Sequence, residues 1–191
     1  MSDRSEPVGP LGEPATAARW RLLIDGLSAG FQGRAVLRTL TLEIPNRGIL
    51  GLLGPSGVGK STLLRTLARL NEPLPSFWLE GEIYLGRQSL LRDLPLDQAQ
   101  RRVALLAQKA RLFTATVLDN AIAEVRPHHP LSRQEKRDLA ESVLRPWELW
   151  PELERRLDEP VIGLSLGTQR RLSGARLISG GAECLLTDEP L

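Results

Sequence analysis

Residues 54–62, GPSGVGKST, fit the pattern G-x-x-x-x-G-K-[ST], and the apolar run GILGLLG ends in the first of their glycines. Such an arrangement predicts a buried strand, a glycine-rich turn and a helix, since the turn has to bend sharply and open its amides at a helix start. Gly54, Gly57 and Gly59 supply backbone that can take positive φ and approach a ligand closely. The amides from Val58 through Gly59 and Lys60 to Ser61 then meet in the first helical turn, where unpaired N–H groups and the positive dipole end favour an anion. Pro55, Ser56 and Thr62 complete the candidate loop. Lys60 is placed to reach the β- and γ-phosphates and Ser61 to ligate Mg²⁺. The amphipathic run STLLRTLARL after the loop supplies the helix. The motif therefore implies a nucleoside triphosphate site.

Bulk properties remove several classes. The 191 residues suffice for one domain with its own core, and one α/β unit is expected. Lys and Arg total 25 against 23 Asp and Glu, a net charge of +2, with no clustered basic stretch of the kind a nucleic-acid surface needs. The single cysteine, Cys184, cannot form an internal disulfide and reads as a small core residue in a reducing, cytosolic setting. No window has the roughly 18 apolar residues of a membrane span, and the start MSDRSEPVGPLGEPATAA has no apolar signal core. Any membrane role is therefore expected to pass through a partner.

Residues 1–18 mix Pro, Gly, Ser, Ala and acids without periodicity and read as a flexible leader. WRLLIDGLSAGF and VLRTLTLEIP read as strands. The second alternates Leu37, Leu40, Leu42 and Ile44 with Arg38 and Thr41, as a half-buried antiparallel strand does. EGEIYLG and RVALLAQ read as further strands, the latter delivering Gln108 to its end. TVLDNAIAEV, LSRQEKRDLAESVL and WELWPELERRL have helical periodicity and are separated by prolines, which predicts a helical subdomain over about 114–165. TQRRLSGARLIS reads as a helix and AECLLTDEP as a strand. Strands alternating with helices around one triphosphate loop predict an α/β, P-loop architecture: a mainly parallel core sheet, an antiparallel N-terminal part and the helical subdomain.

Acids at the carboxyl end of a buried parallel strand lie where open α/β sheets bind ligands. Asp188 is the candidate water-mediated Mg²⁺ ligand and Glu189 the candidate base that polarises an attacking water. Gln108, at its own strand end, can touch both Mg²⁺ and that water. Read without these neighbours, DEP is an acidic turn and Gln108 a solvated loop residue.

In the order GPSGVGKST, Gln108, LSLGTQ and DEP, the chain resembles the nucleotide-binding domain of ATP-binding-cassette (ABC) proteins from about Arg21 to its end. Leu164, Ser165 and Gly167 match three positions of the family's LSGGQ signature, and Arg171 and Arg176 match the helix after it. The adenine-stacking aromatic of the family falls on Phe31, whose alternative role is core packing. PLPSFWLEGEIYLGRQSL, QKARLFTATVLDNAIAEVR and ELWPELERRL are similar to segments of the ATPase subunits of bacterial phosphate importers.

The resemblance implies an ATP- and Mg²⁺-binding domain spanning 19–191. It further implies that two such domains, in a homo- or heterodimer, sandwich ATP head to tail, each phosphate loop facing the partner's Ser165 and Gly167. It implies transmembrane permease partners docked around Gln108 to Phe113, and a peripheral place on the inner face of the cell membrane. Two signature positions depart from the pattern, Leu166 and Thr168, and the bulk of Leu166 predicts a weakened or asymmetric second half of the sandwich. The family's interface turn and its γ-phosphate histidine are expected after DEP, so the chain is expected to be incomplete beyond that strand. His128 and His129 precede it and read as surface residues. Three readings stay open: a transport-coupled ATPase subunit, an ATP-binding pseudoenzyme or fragment without turnover, and a soluble cassette protein of the repair or translation type.

Overall fold

A computed structural model describes residues 20–107, 109–125 and 129–188. The chain divides after Ala99 into two compact units.

In the first unit, β1 (Trp20–Phe31), β2 (Arg34–Pro45), β3 (Phe77–Leu85) and β4 (Gln88–Ser89) form one antiparallel sheet in the order β2-β1-β3-β4. The β1–β2 hairpin turns on Gln32 and Gly33, both at positive φ (49° and 72°), the two-residue turn whose twist suits paired strands. β1 carries an extra residue near Gly26 relative to both neighbours, and β2 carries one near Thr39. Gly81 at φ +95° lies against that bulge, and a Cβ there would stand 2.6 Å from the Gly26 carbonyl oxygen. Leu22, Ile24, Leu27 and Ile83 are fully buried. The alternation expected of β2 is present: Leu40, Leu42 and Ile44 are half-buried between exposed neighbours.

Helix α1 (Lys60–Leu67) follows the glycine-rich loop and buries Leu63, Leu64 and Leu67. The turn after it is held by buried Asn71, whose Nδ2 donates to Thr62 O and Thr66 Oγ1. Arg69 donates to the carbonyls of Leu90 and Leu94 and pairs with Glu72.

The expectation of a buried strand in GILGLLG is not met. Residues 49–53 form no strand, and Ile49 and Leu53 are 100% and 98% exposed. An apolar run becomes a strand only when another strand satisfies its amides and carbonyls, and these residues have no ladder partner among those described.

The second unit begins within α2 (Leu96–Arg102). Its sheet is the parallel pair β5 (Val103–Leu106) and β6 (Cys184–Thr187), in register from Val103 opposite Cys184 to Leu106 opposite Thr187. Helices α3 (Val117–Ile122), α4 (Arg133–Leu144), α5 (Trp150–Leu153) and α6 (Leu166–Ser179) share one core that includes Ala121, Leu144, Leu149, Leu153 and Leu172. WELWPELERRL is not one helix as expected. Arg145–Trp147 forms a 3₁₀ turn, Glu148 takes a left-handed conformation at φ 55°, and α5 restarts with Pro151 near its beginning, where a missing amide hydrogen costs least. The leader expected over 1–18 lies outside the described residues.

Candidate functional site

The glycine-rich loop has the backbone that phosphate binding requires. Gly57 and Gly59 take φ of +79° and +106°, conformations open to glycine and strained for other residues. Gly59 caps α1 in the left-handed region with no side-chain cap, and no acid occupies the first turn. The first amides of α1 are thus left to an outside acceptor, as helix starts leave them by construction. Lys60 Nζ donates to the Gly54 and Pro55 carbonyls at 2.7 and 2.8 Å, which brings the ammonium onto its own loop. Ser61 is exposed, Thr62 is half-buried, and Val58 is exposed at the rim of the loop. Positive-φ glycines, bare amides and a centred ammonium are the donor set a triphosphate needs, and the Ser61 hydroxyl is an accessible oxygen for a hard cation.

In the second unit, Asp188 follows β6 with its backbone fixed at both ends. Its amide donates to Leu106 O at 3.3 Å, and its carbonyl accepts from Arg170 Nη2 at 3.1 Å. That placement at the carboxyl end of a parallel pair is the one expected. Gln108 and Glu189 lie outside the described residues. His128 does also, while His129 is exposed, as expected, with Nδ1 3.0 Å from Pro130 O.

The signature segment starts α6. Ser165 is the N-cap and its Oγ accepts from the Thr168 amide at 3.1 Å. Thr168, 3% exposed, places Oγ1 2.8 Å from Ser165 Oγ and donates to Glu152 Oε1 at 2.8 Å, while Arg171 holds the other Glu152 oxygen at 3.1 Å. A Cβ at Gly167 would make only ordinary contact with Ser165 Oγ, at 3.9 Å, and Leu166 is 83% exposed. The serine hydroxyl is therefore tied into the chain's own network. Nothing in the sequence marks Glu152 as part of this helix start, because it lies on α5 and reaches Thr168 only through the fold.

Phe31 ends β1 and meets Phe77 at 5.3 Å between ring centroids, tilted by 52°. Its ring is half-buried and has an aromatic neighbour. Two further buried polar groups shape the second unit, Asn120, which the sequence does not mark, and Arg176, which it marks only as a match to the helix after the signature. Asn120, fully buried on α3, and Arg176, 6% exposed on α6, both bond the backbone of the segment before α3. Burial lowers the Arg176 pKa, and the nearby Glu124 carboxylate partly opposes that.

The fold matches solved structures of the same class. The structure of cbiO1 from Clostridium perfringens, part of the ABC transporter complex cbiONQ, superposes with a TM-score of 0.71 at 21% identity, over 90% of this chain and 66% of that one. The class is thus the α/β P-loop nucleoside triphosphatase fold. The ABC transporter family profile matches residues 37–191, and the chain belongs to that family. "Phosphate import ATP-binding protein PstB 2" of Mycobacterium tuberculosis H37Rv is 36% identical over 164 residues, 86% of this chain and 59% of that protein. "Phosphate import ATP-binding protein PstB" of Corynebacterium efficiens is 38% identical over 156 residues, 81% of this chain and 61% of its own length. The chain spans about three fifths of the length of these relatives. No helix among the described residues is long and apolar enough to cross a membrane.

Proposed function

We propose that this chain is the ATP-binding subunit of an ABC importer whose cargo is phosphate. The observation that carries the ATP site is the loop Gly54–Thr62: two positive-φ glycines, an uncapped helix start free of acids and the Lys60 ammonium drawn onto the loop. The names of the relatives support the cargo and the importer role. In this reading Mg²⁺ bound with ATP neutralises phosphate charge, with Ser61, Gln108 and Asp188 as its direct or water-mediated holders. Lys60 and the loop amides orient the triphosphate, and Glu189 accepts a proton from the attacking water. Residues 19–191 form the nucleotide-binding domain, with 114–165 as its helical subdomain. Permease subunits dock around Gln108 to Phe113, which places the chain on the inner face of the membrane, and a second nucleotide-binding domain supplies the facing half of the site.

A second reading, an ATP-binding cassette that does not turn ATP over, is favoured by the closed Ser165–Thr168–Glu152 network and exposed Leu166. Steady-state hydrolysis by the purified chain with its permease in vesicles separates the two. Turnover abolished by Glu189→Gln supports the ATPase subunit, whereas ATP binding without turnover in the unaltered protein supports the second reading.

A further inference from the structure

Between β5 and α3 the chain has no regular structure from Lys109 to Ala115, yet buried side chains bond its backbone at three points and bond the α3 cap, Thr116, at a fourth. Arg176 Nη2 donates to Arg111 O at 2.5 Å. Asn120 Oδ1 accepts from the Phe113 amide at 2.8 Å, and its Nδ2 donates to Phe113 O at 3.1 Å and Thr116 O at 3.0 Å. The Arg176 guanidinium lies 4.6 Å from the centroid of the Phe113 ring, which is itself 53% exposed. Beyond this point the segment pairs with the approach to α6: Val117 N donates to Glu159 O and Val161 N to Ala115 O, four residues before Ser165.

An apolar side chain at 176 would fill the same space without desolvating a cation, and a buried guanidinium whose Nε has no hydrogen-bond partner, only the Glu124 carboxylate at 3.9 Å, is a costly filler. What the guanidinium adds is a donor to a loop carbonyl and a cation over a ring that is not core. We propose that Arg176, supported by Asn120, is a positioning residue that sets the shape of 111–116 and fastens it to α6. A load on Phe113 then passes to the Ser165 end of that helix. The inference rests on the reading of Gln108 to Phe113 as the permease-docking surface.

Hydrogen exchange on the full chain, read by mass spectrometry, tests it with Arg176→Met and Arg176→Lys. In the Met variant the Phe113 and Val161 amides should exchange about ten- to a hundredfold faster, the size expected for loss of a charged hydrogen bond, with β1–β3 amides unchanged. Lys keeps a cation over the ring and one donor to Arg111 O, and should bring those amides back to within about threefold of the unaltered chain. Unchanged exchange at Phe113 in the Met variant would overturn the proposal. So would equal acceleration across the whole second unit, or a Lys variant no better than Met. Should Met fail to fold, Arg176→Gln, which removes the cation at similar length, takes its place: acceleration confined to 111–116 and 161 supports the role, and a uniform or absent change overturns it. Affinity capture from membranes supplies the link to docking. Loss of the permease by Arg176→Met with nucleotide retained supports it, and undiminished capture by a variant whose loop has opened overturns it. An unaltered chain that captures no permease defeats the docking reading itself, while exchange still decides the positioning role.

Discussion

Helices α1 and α6 begin in opposite ways. At α1 the cap is a glycine at φ +106°, no side-chain oxygen turns back to the amides, and no acid sits in the first turn. At α6, Ser165 caps the Thr168 amide, Thr168 bonds Glu152, and Arg171 holds that carboxylate. Helices α3 and α4 resemble α6, each with a capping box built from Thr116 and Asp119 or from Ser132 and Glu135. Every helix start has the same orphan amides. Those of α3, α4 and α6 are satisfied from within, at the cost of availability, whereas α1 forgoes a stabilising cap and keeps its donors for a ligand.

The largest effect should come from removing the cation at the open start. Lys60→Ala is expected to weaken ATP binding about a hundredfold or more by calorimetry, in line with losing a charged contact to phosphate. Unchanged affinity would remove the phosphate-loop assignment. Next, opening the closed start with Leu166→Gly and Thr168→Gln together should tighten Mg-ATP-dependent self-association about tenfold in sedimentation equilibrium, roughly the value of one recovered charged hydrogen bond. No change would mean that α6 is not the face that limits pairing. Smaller is Thr168→Val, which leaves Glu152 without its hydroxyl donor. It should cost about 1–2 kcal/mol in urea unfolding while ATP affinity stays within about twofold. A matching fall in affinity would show that the two starts are not separable.

The smallest effect concerns α4. Hydrogen bonds from the Ser132 hydroxyl and amide hold the Glu135 carboxyl below its ordinary range. A depressed folded-state pKa gives stability that is complete above the unfolded pKa and is lost as pH falls through the folded one. Exchange of the Glu135 amide should therefore quicken on acidification through the carboxylate range, beyond its intrinsic pH dependence, and Ser132→Ala should flatten that excess.

Local chemistry was legible before the fold was known. Gly57, Gly59 and Lys60 announce the phosphate loop because a short run of backbone makes that site. Ser165 reads as a helix start for the same reason. Asn120 and Glu152 were silent, and Arg176 was marked only by its match to the helix after the signature, since the contacts they make exist only through the fold: 65 residues separate Arg176 from the Arg111 carbonyl it bonds. The run at Ile49–Leu53 misled in the other direction, because hydrophobicity states that a segment can be buried while a strand exists only through its neighbours. Prolines marked the breaks between helices, but the left-handed Glu148 that ends the 3₁₀ turn before α5 has no compositional signal.

Gly174 on α6 has a consequence for observing the molecule. A Cβ at that position would stand 2.4 Å from the Trp147 ring, so the indole rests directly on helix backbone. Trp147 and Trp150 belong to the second unit, and Trp20 and Trp78 to the first. With the other three replaced by Phe, intrinsic fluorescence from Trp147 would report the seating of α6 alone. A chain keeping only Trp78 would report the antiparallel sheet, so the melting of each unit could be followed by its own light.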